Sequence, residues 1–167
     1  MARLILQSGD GAGDIGNSAV VDVIGTNAAE TINVSANGRG TFDGSFTRGN
    51  DIIDIDGNAA NYSIRQTGPN QIVITNAAGA NLIIPVGTGV TIKFNDVDAG
   101  RVLAFNSAGT EILLGSQAVS STASTITAGG GGGGGGSTGS EFFLGVAQDV
   151  LVGTAFADTF VADLIQN

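Results

Sequence analysis

Residues 61–86, NYSIRQTGPNQIVITNAAGANLIIPV, read as three β-strands joined by two tight turns. Tyr62, Ile64, Ile72 and Ile74 recur at period two, the spacing that lines one face of a strand. Gly68, Pro69 and Asn70 form the first turn and 77–80 the second, since proline presets φ while glycine and asparagine accept left-handed conformations. Outward from this stretch, short apolar runs recur about every ten residues between Gly, Asn and Asp, the signature of an all-β domain. They are RLILQ, AVVDVIG, ETINVS and DIIDID before it, and VTIKF, RVLAF and EILLG after it. No segment carries a helical period with caps. The pattern predicts an all-β fold: a single β-sandwich, jelly-roll-like, with extended terminal strands, and as the alternative a parallel β-roll or solenoid.

Four segments follow from composition. Residues 1–17 form an N-terminal strand and Gly-rich hinge, 18–119 the sandwich core, 120–140 a Ser/Thr/Gly-rich linker, and 141–167 an apolar β segment. The linker holds one large apolar residue, Ile126, and an unbroken run of Gly129, Gly130, Gly131, Gly132, Gly133, Gly134, Gly135 and Gly136. That run lacks the Lys and Ser/Thr of a phosphate-binding loop, so backbone freedom explains it. A coil from 129 to 140 reaches about 20 Å, and ~40 Å when stretched. The segment beyond must bury Phe142, Phe143, Leu144, Val146, Val150, Leu151, Phe156 and Phe160, and it is too small to fold alone. It either returns to its own sandwich or adds as a strand to an open edge of a second copy. Leu4, Ile5 and Leu6, ahead of their own Gly-rich hinge, are a second candidate for exchange.

Fifteen acidic residues against six basic ones give a net charge of −9, which repels phosphate backbones and excludes nucleic acid as an expected partner. Cysteine, histidine and tryptophan are absent. The triads, Cys-His pairs and soft-metal sites that need them are therefore excluded, and any metal must be oxygen-bound. Paired carboxylates remain the only catalytic hardware, and sugar-cleaving sites usually add aromatic platforms, for which Tyr62 is the one tyrosine. The expectation is a protein that is not an enzyme. No stretch approaches the ~20 apolar residues of a membrane span, and the N-terminus lacks the apolar core of a signal peptide.

Residues 24–32, IGTNAAETI, and 152–160, VGTAFADTF, share the pattern apolar-Gly-Thr-x-x-Ala-acid-Thr-apolar. A common local conformation follows: a glycine turn, Thr and the acid in local hydrogen bonds, then an apolar residue opening a strand. GTAFADTF and RGNDIIDIDG also resemble degenerate pieces of the repeats-in-toxin nonapeptide, although Phe156 stands where that repeat has its second turn glycine and no tandem copies follow. Residues 51–105 resemble domains of large bacterial proteins exported by type I secretion, including adhesins and surface-layer proteins. The resemblance implies secretion through an uncleaved C-terminal signal, which the tail DTFVADLIQN and the retained Met1 fit. It also implies Ca²⁺ held by aspartates and turn carbonyls, with Asp158 the matching acid.

Three acid clusters are candidate calcium ligands: Asp51, Asp54 and Asp56; Asp96 and Asp98; and Asp10 and Asp14. Asp54 and Asp56 share a strand face and could bracket an ion or face water. The sequence thus predicts a secreted structural protein whose main partner is itself, a homopolymer forming a filament, matrix fibre or surface layer by strand addition. The alternative is a monomeric adhesion module that binds Ca²⁺ or a cell-surface or matrix polysaccharide.

Overall fold

A computed structural model describes residues 2–17, 20–127, 141–143 and 159–161; for 97, 98 and the two C-terminal stretches the description is of the backbone alone. The chain divides into two compact units, Met1–Gly134 and Gly135–Asn167.

The first unit holds two sheets of seven strands each. In spatial order the first sheet runs β1 (Ala2–Ile5), β3 (Val20–Ile24), β5 (Arg39–Phe42), β9 (Asn81–Pro85), β8 (Gln71–Asn76), β7 (Tyr62–Gly68) and β14 (Ser124–Thr125). The second runs β13 (Gln117–Val119), β12 (Ile112–Leu114), β11 (Val97–Phe105), β10 (Val90–Phe94), β6 (Ile52–Ile55), β4 (Thr31–Val34) and β2 (Gly13–Ile15). Short 3-10 turns at Gly44–Thr47 and Ala59–Asn61 are the only helical elements among the described residues. The class is all-β and the two layers form a sandwich, as the sequence predicts.

The sandwich is built in two ways. From β1 to β6 the chain alternates between the sheets, and each strand lies parallel to the one a coil earlier. Ala2 pairs with Val21, Gly13 with Ile32 and Val20 with Arg39, an advance of nineteen residues each time. Parallel neighbours need a connection of a dozen or more residues, and here the intervening strand of the opposite sheet supplies it. This is the coiling of a β-roll, and it differs from the antiparallel pattern of a jelly roll. From β7 onward hairpins take over, with β7–β8 and β8–β9 antiparallel around the two turns read from the sequence. β9 and β10 then rejoin the parallel rows beside β5 and β6.

Register stacks like on like across the core. Ile32, Ile53 and Ile92 form one inner row; Ile15, Val34, Ile55 and Phe94 form the next. All seven are nearly or wholly buried, each contributing about 1.5–3 kcal/mol on transfer from water. Opposite them, Leu82, Ile74 and Ile64 line up on the first sheet. Tyr62 lies in the same core and donates from its hydroxyl to the carbonyl of Asp56 at 2.5 Å. A buried ring is no platform for a sugar.

The first unit extends beyond 18–119 at both ends. β1 and β2 are edge strands of the two sheets, β14 pairs with β7, and Ile126 is fully buried. In the second unit β15 (Glu141–Phe143) and β16 (Thr159–Val161) form a parallel two-stranded sheet.

The roll depends on a close approach at Gly49, whose φ is +92° and where a Cβ would sit 2.2 Å from the carbonyl oxygen of Ala28. Gly49→Ala is expected to lower unfolding free energy by about 3 kcal/mol, from combined backbone strain and steric overlap. Urea denaturation checks this, and a loss under about 0.5 kcal/mol would contradict the packing of these two loops.

Candidate functional site

Thr26 and Glu30 belong to the segment 24–32 that recurs near the C-terminus. The backbone N–H of Thr26 donates to Glu30 Oε1 at 3.2 Å, the Thr26 hydroxyl donates to the same oxygen, and Ala28 N donates to Thr26 Oγ1 at 3.0 Å. These are the local Thr and acid hydrogen bonds expected from the repeat, and they turn the chain from β3 into β4. The second copy of the pattern lies largely outside the described residues, apart from the backbone of β16.

The turn brings Glu30 against Asp51 of the next coil. Glu30 N donates to Asp51 Oδ1 at 2.9 Å. Asp51 has no exposed surface and Glu30 only 7%, and Glu30 Oε2 and Asp51 Oδ2 have no hydrogen-bond partner. Burial pushes the Asp51 carboxyl up from 3.8 to about 7; the Glu30 carboxyl and the Asp43 charge push the same way, while the Glu30 backbone bond opposes them. Asp51 therefore holds its proton into the neutral range. Asp43 stands close by, capping the 3-10 turn through Ser45 N at 3.1 Å, while Ser45 Oγ accepts from Gly25 N at 3.1 Å.

The other predicted acids separate. Asp14, Asp54 and Asp56 face outward from the second sheet and line a groove of about 270 Å³ with Asn33 and Asn95. Register sets Asp14 beside Asn33, Asn33 beside Asp54, and Asp54 beside Lys93. Asn33 Nδ2 donates to Asp14 Oδ1 and Asn95 Nδ2 to Asp56 Oδ1, each at 2.9 Å. Asp51 points inward, away from Asp54 and Asp56, because strand side chains alternate. Asp96 accepts from Ala59 N at 2.8 Å, and Asp10 accepts from Gln7 N at 2.7 Å. The Asp98 side chain and Asp158 lie outside the described residues. Among the described residues no three acidic side chains converge on one metal position.

The ends of the sandwich differ. Both ends stop on short strands with a single strand neighbour each, β14 and β13 at one and β1 and β2 at the other. Leu6 and Ile15 carry the core to that last coil, Leu4 packs against it half-buried, and Ile5 is 61% exposed. At the other end Gln117 of β13 bridges to β14: its Nε2 donates to the Thr125 carbonyl at 2.9 Å, and its Oε1 accepts from Thr127 N at 3.0 Å. Side-chain bonds thus tie that end shut. Of the C-terminal assembly candidates, Phe142 and Phe143 belong to β15 and Phe160 to β16, where Phe142 is in register with Phe160. Leu144, Val146, Val150, Leu151 and Phe156, and the glycines 129–136, lie outside the described residues.

Sequence reasoning missed Glu30, Asp43 and Ser45. Glu30 was visible only as a turn acid, and nothing local signals that Asp51, twenty-one residues on, faces it. No helix among the described residues is long and apolar enough to cross a membrane. No protein-family model, curated protein or solved structure matches the chain.

Proposed function

We propose that this is a secreted structural protein that assembles with copies of itself into an extracellular filament, matrix fibre or surface layer by β-strand addition. The observation that carries the reading is the asymmetry of the sandwich, open at β1 and β2 and tied at β13 and β14. Proteins built from stacked coils need a polar cap at each end to stay soluble, and an uncapped sheet edge is a template for another strand. The apolar segment 141–167 supplies a strand-forming sequence on a glycine tether. A strand taken from one copy by the next is a head-to-tail contact, and such a contact that does not close gives a fibre. Removal of 141–167 from the full chain tests this, with assembly lost and the sandwich retained.

A second reading, a calcium-binding adhesion module, draws on the unpartnered oxygens of Glu30 and Asp51. A cation there would take the place of the Asp51 proton once that carboxyl ionises. On this reading millimolar Ca²⁺ raises the thermal midpoint at about pH 8 by a few degrees, through binding to the folded state alone, and EDTA reverses it. A melting curve indifferent to both removes calcium from the account.

A further inference from the structure

We infer that the two outer sheet faces are complementary docking surfaces, the face of β1, β3, β5, β9, β8 and β7 in one copy seating on the β2, β4, β6 and β10 face of another. On the first face, register aligns Arg3, Asp22, Thr41, Ile83, Val73 and Arg65 in one row across six strands. Arg39 stands in the adjoining row beside Asn81. Arg3, Arg39 and Arg65 are exposed, so this face carries three guanidinium groups against the single carboxylate of Asp22. On the second face Asp14, Asp54 and Asp56 stand against the single ammonium of Lys93 and line the groove. One face is therefore net positive and the other net negative, in a chain with only six basic residues.

Opposed potentials of this kind steer association and fix register, and guanidinium forks match carboxylates geometrically. Ile83, half-buried beside the buried Val73, makes the centre of the row apolar, and Val102, 51% exposed, flanks the acidic rows beside Thr91. Six strands at about 4.8 Å span only about 29 Å. Such a patch is smaller than the ~800 Å² per partner of a standard complex. Repetition along a fibre supplies the missing strength, since each further contact is then intramolecular. The inference rests on the self-assembly reading and adds to it a lateral contact that bundles fibres or layers.

The test uses the full chain and two charge-reversed variants, Arg39→Glu with Arg65→Glu, and Asp14→Lys with Asp54→Lys. All four positions face solvent, and circular dichroism checks that both variants fold. By electron microscopy and sedimentation at low salt, wild-type fibres are expected to bundle, each variant alone to give single fibres with lateral association weakened about tenfold or more, and an equimolar mixture to bundle again. Raising the salt should dissolve wild-type bundles into single fibres, because screening shortens to a few ångströms near ~1 M. Bundles of unchanged width in both variants, or no rescue on mixing, overturn the face contact and leave strand addition standing. Wild-type protein that forms no fibres at either salt overturns both.

Discussion

Asp51→Asn is expected to make the protein more stable at about pH 8, by about 3 kcal/mol or about 10 °C in thermal midpoint, and to leave it nearly unchanged at about pH 4. Asparagine keeps the acceptor that Glu30 N uses at 2.9 Å and offers an N–H₂ to the unpartnered Glu30 Oε2. The sign follows from proton binding. In the folded chain the Asp51 carboxyl titrates at about 7 against an ordinary 3.8, so between these values the folded state binds more protons than the unfolded one. Wild-type stability from this group is therefore fully present below the unfolded value, falls as pH rises towards about 7, and stays low above it. Among the described residues the charged groups acting on Asp51 are the acids Glu30 and Asp43, with no cation to offset the cost. Urea titrations of both proteins across this range check the claim. A variant less stable than wild type at every pH, or a gap that does not widen with pH, contradicts the raised Asp51 carboxyl.

Fibre formation is expected to stop when either half of the strand exchange is removed. Ile5 is the exposed apolar residue of the open edge strand, and its neighbours Leu4 and Leu6 carry the inward contacts. Ile5→Lys places a charge where an incoming strand would pack, the device by which natural edges refuse partners. Its folding free energy should move by less than about 0.5 kcal/mol, as for other surface changes. Truncation after residue 140 removes the donor and leaves the first unit whole. Both proteins should sediment as monomers under conditions where wild type polymerises. If Ile5→Lys polymerises normally while the truncation does not, the donor strand enters elsewhere than β1.

Much of the sandwich was legible because its strands announce themselves by alternation. Tyr62, Ile64, Ile72 and Ile74 face inward as their spacing requires, and both hairpin turns fall where Pro69–Asn70 and Gly79 put them. β2 and β5 escaped notice because GDI and RGTF are short and contain glycine, which weakens any strand signal. They pair through register with longer neighbours, a tertiary effect. The coiling was legible only as the β-roll alternative, because nothing within RLILQ or ETINVS states which sheet receives it.

The candidate site was legible in kind and not in arrangement. The Thr26 and Glu30 hydrogen bonds could be read from the repeated motif, since Thr and an acid four residues apart close a local turn. Their junction with Asp51 could not, because it exists only once β4 and β6 pair in parallel. Asp51, Asp54 and Asp56 look like one cluster in sequence, yet strand alternation sends the first inward and the others to the groove. Arg3, Arg39 and Arg65 look scattered, and the coils together with the hairpins that follow them gather the three on one face.

Self-assembly through the terminal segment is the central claim, and electron microscopy of the purified full chain beside the chain ending at residue 140 tests it most directly. The expected result is fibres or sheets from the full chain and dispersed particles of single-domain size from the truncated one, with unchanged circular dichroism. Identical particles from both proteins, whether monomers or assemblies, would contradict it.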